Sequence, residues 1–94
     1  MANNLFISYD LADPDRNFEA LATEIEKLGV YAQVHPTLWY AHTDQSSEQV
    51  CQALWAVLDK ENDMLMVIDA SNNTAHWENL DQEVADYFKA EWNS

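Results

Sequence analysis

The sequence predicts an α+β fold, a four-stranded antiparallel sheet carrying helices, and three observations predict it. The stretch Asn4–Leu11 is apolar on both of its alternating faces, with Leu5, Ile7 and Tyr9 on one side and Phe6 and Ser8 on the other. A strand of that kind belongs in the middle of a sheet rather than at its edge. Two later segments show helical spacing, and each leads into further short apolar runs. The link between the middle two runs is only long enough for a turn, so those strands pair as antiparallel neighbours. The resulting order is strand, helix, strand, strand, helix, strand. That is the ferredoxin-like βαββαβ pattern, with the first strand central and two helices on one face.

Each element has its own local justification. After the first strand, Asp13 is placed to cap a helix whose first residue is Pro14, and Asp15 complements the positive end of its dipole. Phe18, Leu21, Ile25 and Leu28 recur at helical spacing over Asp15–Leu28, and Gly29 stands at the C′ position that favours glycine. Val30–Val34 reads as the second strand, His35-Pro36 as a turn and Leu38–Ala41 as the third strand. Ser46 followed by Gln49 is a capping box that opens a helix over Ser47–Leu58, with Val50, Leu54, Val57 and Leu58 as its buried stripe. Met64–Ile68 is a continuously apolar fourth strand. Ala70–Leu80 reads as irregular, anchored by Trp77. Asp81–Trp92 is an additional C-terminal helix with Leu80, Val84, Phe88 and Trp92 along one side. Its seat is either the second face of the sheet or another subunit.

At 94 residues the chain makes one domain spanning residues 1–94. A hydrophobic content of 48%, with four Trp, four Tyr and three Phe, excludes intrinsic disorder. The charge balance bounds the function most tightly. Seventeen acids face only Arg16, Lys27, Lys60 and Lys89, a formal net charge of −13. Nucleic-acid binding proceeds by neutralising phosphates with Lys and Arg, so direct binding to nucleic acid is not expected. An anionic membrane surface is disfavoured for the same reason, and no apolar run approaches the ~18 residues of a membrane span. The single cysteine, Cys51, sits among helical apolar positions and reads as a small buried hydrophobe. With no disulfide framework and no basic-then-apolar leader, the expected location is the cytoplasm.

The segments FISYDL, KLGVYAQVHPTLW and LMVIDAS together resemble the Cas-two family of small ferredoxin-like CRISPR-associated proteins. More closely they resemble small stand-alone relatives labelled SinR-like. The resemblance covers roughly residues 4–70. It implies a homodimer with an acid from each subunit near the interface, and either a metal-dependent nuclease or a structural subunit of an integrase. Asp10 matches by position the acid that ends the family's first strand. The basic residues with which members hold nucleic acid are missing here, apart from Arg16.

Asp10 is the candidate catalytic residue and, with Asp63 from the start of the fourth strand, the candidate metal pair. Antiparallel pairing of the first and fourth strands brings both to one rim, together with Asn62, His35 and Thr37. Carboxylates with carbonyls and waters suit Mg²⁺ or Mn²⁺, and such an ion activates water for phosphodiester attack. In the simpler reading Asp10 only starts the turn into the first helix. His35, His42 and His76 have no spacing that suggests zinc, and no Walker loop or nucleophile elbow is present.

Two functions from different classes remain. The first is a non-catalytic, acidic protein-binding module on a Cas-two-like homodimer, of which a DNA-mimicking inhibitor of an anti-CRISPR or anti-restriction type is the sharpest form. Its partner is a basic or nucleic-acid-binding protein complex, it needs no cofactor, and its binding face comprises Glu19, Glu26, Asp81, Glu83 and Asp86. A chain of this size spans about 30 Å, over which duplex DNA carries about 18 charges at one per ~1.7 Å. The seventeen carboxylates match that density. The alternative is a Mg²⁺- or Mn²⁺-dependent endonuclease centred on Asp10.

Overall fold

A computed structural model describes residues 2–92. Within it, eight elements follow in the order β1 (Asn3–Asp10), α1 (Pro14–Glu26), β2 (Val30–His35), β3 (Leu38–Thr43), α2 (Ser47–Trp55), β4 (Met64–Asp69), β5 (Thr74–Glu78) and α3 (Gln82–Glu91). The strands form one antiparallel sheet in the order β2-β3-β1-β4-β5. β1 is central, as its two apolar faces require. Ile7 is opposite Trp39 of β3 on one side and Val67 of β4 on the other.

The sheet has five strands where the sequence predicts four. Ala70–Leu80 is not irregular throughout, because Thr74–Glu78 pairs with β4 as a hairpin partner. The turn between them is built by Asp69. Its carboxylate accepts hydrogen bonds from the backbone N–H groups of Ser71 and Asn72 at 2.9 and 3.1 Å and from the Asn72 side chain at 2.7 Å. Asn73 takes the positive φ of 56° that closes the turn, a conformation Asn tolerates better than most residues. The Asp-x-x-Asn-Asn run was the legible signal for this hairpin.

Helices α1 and α2 cover one face of the sheet. Leu5, Ile7, Trp39, Ala41, Leu65 and Val67 point into the layer between, where Leu21 and Ile25 of α1 meet Val50 and Leu54 of α2. Nine of these ten are 0% exposed, and the tenth, Trp39, is only 5% exposed. Each such fully buried aliphatic side chain contributes roughly 1.5–3 kcal/mol relative to leaving it in water. The capping box of α2 forms as expected, with Gln49 N–H donating to Ser46 Oγ at 3.1 Å and Ser46 N–H donating to Gln49 Oε1 at 2.9 Å.

Two local expectations for α1 need correction. Asp13 occupies the N-cap and Pro14 the first turn, but the Asp13 side chain makes no capping bond; its backbone carbonyl instead receives the N–H groups of Arg16 and Asn17. The helix closes at Lys27, so Gly29 lies one residue beyond C′. Its φ of +139° and a Cβ that would meet the His42 carbonyl oxygen at 2.7 Å both require glycine there.

α3 takes the sheet's second face. Phe88 packs on Trp77 with ring centroids 5.5 Å apart, Trp92 stands edge-on to Phe88, and the Trp92 indole donates to the Asn73 carbonyl at 2.8 Å. Met66, opposite Trp77 in the hairpin, is covered as a result. α3 spans only the β4–β5 half of that face. Across the other half, Phe6, Leu38 and Tyr40 are partly exposed, and every residue of β2 is exposed. Among the described residues no helix is long and apolar enough to cross a membrane.

Candidate functional site at the Asp10 rim

β1 ends at Asp10, and the parity of the strand decides where its side chain can act. Asp10 shares parity with Phe6 and Ser8, so it stands on the second face of the sheet, opposite Met64 of β4. It is exposed. Asp63 precedes Met64 and therefore has the opposite parity, that of Leu65, which faces the helical layer. The two acids expected to share a metal are thus adjacent in register but project toward opposite faces.

Asp63 is wholly buried and is occupied by protein donors. Its Oδ1 accepts the Ala12 N–H at 2.9 Å, and its Oδ2 accepts both the Asn17 side-chain amide at 2.7 Å and the Asp59 N–H at 2.8 Å. These bonds join the β1–α1 link, α1 and the α2–β4 loop at one point. The Asp63 carbonyl and that of Glu61 also receive the Asn79 side-chain amide, which ties in the end of β5. A buried carboxylate with three donors is satisfied, and its oxygens are directed at the fold rather than at solvent. Among the described residues no group of three or more His, Cys, Asp and Glu side chains gathers closely enough to hold a metal ion.

Next to it, Asp59 organises the loop. Its carboxylate accepts the Asn62 side chain at 3.0 Å and the Glu61 N–H at 3.0 Å. The Asn62 bond, followed by the Glu61 bond, holds the Asp59 carboxyl below its ordinary pKa, with a smaller contribution from the Arg16 guanidinium. Arg16 lines a shallow hollow with Val57, Leu58 and Asp59 of this loop. Lys60 is likewise engaged, with its ammonium over the Trp55 ring at 5.1 Å and bonded to the Trp55 and Leu58 carbonyls.

The other expected rim residues do gather. The turn between β2 and β3 packs beside the end of β1, with Tyr9 N–H donating to the Thr37 carbonyl at 3.3 Å and Tyr9 Oη donating to the Pro36 carbonyl at 2.8 Å. Trp39 Nε1 donates to the same hydroxyl at 2.9 Å. Burial raises the Tyr9 pKa, and the Trp39 bond opposes that in part. Between this turn and the start of α1 lies an open hollow of about 310 Å³, walled by Tyr9, Phe18, Pro14 and Pro36. The backbone at Asp10 and Leu11, with Gln33 and Thr37, completes its lining. Composition and periodicity give no hint of this hollow, since it forms where three separate segments meet. The His35 ring lies at the turn, within 3.5 Å of the Thr37 hydroxyl.

The five acids expected to form one binding face fall into two groups. Glu19 and Glu26 lie on α1, and Asp81, Glu83 and Asp86 lie on or at the start of α3; all five are exposed. Since α1 and α3 pack on opposite faces of the sheet, these are two acidic ridges separated by its thickness. Helical periodicity shows which side of each helix meets water, but not on which side of the sheet the helix lands. Comparison of the chain with family models, curated proteins and solved structures finds no match.

Proposed function

We propose that this protein is a non-catalytic acidic module that binds a basic, nucleic-acid-binding protein complex by presenting carboxylates where that complex expects phosphates. The observation that carries the reading is the uncompensated surface charge. Twelve of the seventeen acids are exposed, against four cations in the whole chain. Lys27 is already paired with Glu24 at 3.3 Å, while Lys60 is folded back on its own helix end. The molecule measures 38 × 32 × 22 Å, and a 38 Å length of duplex carries about 22 charges at one per ~1.7 Å. Acidic ridges on both broad faces suit a partner that closes around its nucleic acid better than one that offers a flat surface.

The strand order β2-β3-β1-β4, with α1 and α2 on one face, supports a ferredoxin-like assignment with β5 and α3 added at the β4 edge. A Cas-two-like ancestry rests on the sequence resemblance. Cytoplasmic residence and a homodimer belong to the same proposal. The charge pattern supports a homodimer through β2: residues 28–43 carry no Asp, Glu, Lys or Arg, and β2, within them, is the edge strand of the sheet. Val30 is 66% and Val34 54% exposed on that edge. Two copies, each of charge −13, approach with least repulsion there, and an edge strand without charged residues is open to pairing.

The test is capture of host proteins on the immobilised chain at low salt, followed by elution with high salt or with competing duplex DNA. Screening shortens to ~3 Å at 1 M salt, so both eluents are expected to release the partner. Glu83→Lys/Asp86→Lys and Glu19→Lys/Glu26→Lys should each weaken capture with the fold intact. Capture that resists both salt and DNA would overturn the reading. Mg²⁺-dependent nucleic-acid cleavage that is lost in Asp10→Ala and kept in the charge reversals would replace it with the nuclease alternative.

A further inference from the structure

The second face of the sheet is covered by α3 on the β4–β5 side and bare from β1 to β2. Directly paired residues share a face, so Phe6 and Ser8 of β1, Leu38 and Tyr40 of β3, and Val30 and Ala32 of β2 make up the bare half. The Tyr40 hydroxyl donates to Asn4 Oδ1 at 2.6 Å, and its ring centroid lies 5.6 Å from that of Phe6, so the floor is set before anything binds. α3 forms a wall along one side. Val84 lines a hollow with Ser8, which turns that flank of the helix toward β1, and Tyr87 lies one turn further along the same flank. Of the five large apolar side chains exposed among the described residues, Val30, Val34, Val84 and Tyr87 stand on the two borders of this half. Singly such residues need no explanation, but gathered around one floor they mark a docking trough.

Its dimensions fit one helix. Three strands spaced ~4.8 Å apart give a floor about 14 Å wide, against a helix diameter of ~10–12 Å. The hollow at the foot of the α3 wall measures about 240 Å³ and is lined by Met64, Met66, Leu80, Val84 and Phe88. That is smaller than the ~300 Å³ at which small-molecule sites begin, and it suits a single apolar side chain.

Charge decides what kind of helix. Asp10 lines the hollow, is exposed, and is the one Asp, Glu, Lys or Arg on the floor. Glu83 and Asp86 share the outer side of α3 with Tyr87. No cation of the chain borders the trough. Arg16 and Lys60 lie with the α2–β4 loop, Lys27 pairs with Glu24 at the end of α1, and Lys89 lines a hollow with Thr74 and His76 on the β5 side of α3. A second copy is a poor occupant, because α3 rises a helix diameter above the floor and its acids would meet the like charges of the other copy. Pairing at the β2 edge lies in the plane of the sheet and leaves the trough open.

We propose that this trough seats one basic amphipathic helix of the partner. Its apolar stripe lies on Phe6, Leu38 and Tyr40, one apolar side chain fills the hollow, and its lysines or arginines reach Asp10 and the acids of α3. The proposal rests on the protein-binding reading above and names the element of the partner that docks. The long-range acids attract any basic surface; the trough selects one with an apolar face at helical spacing.

The probes are two lysine–leucine peptides of identical length, composition and charge, titrated into the full chain by calorimetry with amide chemical shifts followed in parallel. In one the leucines recur at helical spacing, and in the other they are scrambled. The amphipathic peptide should bind at least about tenfold more tightly, equivalent to about 1.4 kcal/mol, and should shift the amides of Phe6, Leu38 and Tyr40 but not those of α1. Val84→Ser with Tyr87→Ser, two exposed and charge-neutral changes that leave the fold intact, should cut the preference at least about threefold without changing scrambled-peptide binding. Equal, salt-sensitive binding of both peptides would overturn the trough and leave the acidic-surface reading standing. Failure of both to bind would overturn the trough and count against that reading as well. A preference untouched by the double variant, with shifts outside the bare half, would place helix recognition elsewhere and overturn the assignment. A parent dimer that the same double variant returns to a monomer would give the trough to a second copy instead.

Discussion

The Asn17 side chain donates to the carboxylate of Asp63 at 2.7 Å across 46 residues of sequence. This bond, with those from Ala12 and Asp59, makes a buried carboxylate the fastening between the first helix and the fourth strand.

Removing that carboxylate strands three donors in the interior. Asp63→Ala should destabilise the protein by about 3 kcal/mol or more, since each bond to a charged acceptor is worth about 1.5–3 kcal/mol. Asn17→Ala leaves Oδ2 its bond from Asp59 and should cost about 1 kcal/mol. Urea denaturation of the two variants checks the ranking. An Asp63→Ala protein as stable as the parent would mean that the carboxylate is held for another purpose.

Gly29 links α1 to β2 with backbone that only glycine adopts without strain, and the His42 carbonyl leaves no space for a methyl group. Gly29→Ala should cost at least about 1 kcal/mol, more than the helix-propensity gain elsewhere in the chain. Because the contact is to β3, the loss should appear as weakened hydrogen-exchange protection in the β2–β3 pair before the rest of the sheet opens.

Cys51 is buried against the core, and burial, followed by the charge of Glu78, pushes its pKa up from 9.0 to about 11. The thiol is therefore protonated and shielded at neutral pH. Alkylation should proceed at the rate of unfolding and rise sharply in denaturant. The raised folded-state value also has a sign for stability: its contribution is whole below pH 9 and is lost as pH rises through about 11. Alkaline melts of Cys51→Ala should lack that component of the decline.

Self-association at the uncharged β2 edge predicts a dimer by sedimentation at micromolar concentration. Val30→Lys with Val34→Lys should return the chain to a monomer, with its melting temperature little changed beyond the loss of the interface. Reversing acids on α3 instead should leave the dimer intact. A parent chain that sediments as a monomer at tens of micromolar excludes this interface.

Local chemistry made most of the elements readable from the chain. The alternation in β1, the helical spacing from Phe18 to Ile25 and the Ser46–Gln49 box are short-range patterns, and their physics is complete within a few residues. The central place of β1 was likewise written in its two apolar faces. β5 was harder to see because Thr74–Glu78 has little strand character of its own; it is a strand because Asp69 builds the turn that returns it to β4.

What the sequence by itself determined is every element but β5, much of the composition of the core and a surface of carboxylates that the chain's four cations cannot neutralise. Only the tertiary structure decided where those carboxylates stand. Parity at the paired ends of β1 and β4 put Asp10 in solvent and Asp63 in the interior, and the β4–β5 hairpin delivered α3 to the face opposite α1. The hollow beside Asp10 exists because Tyr9, Phe18 and Pro36 meet there from three segments. Side-chain type is a property of one position, whereas facing, burial and shared cavities depend on which distant positions the chain brings together.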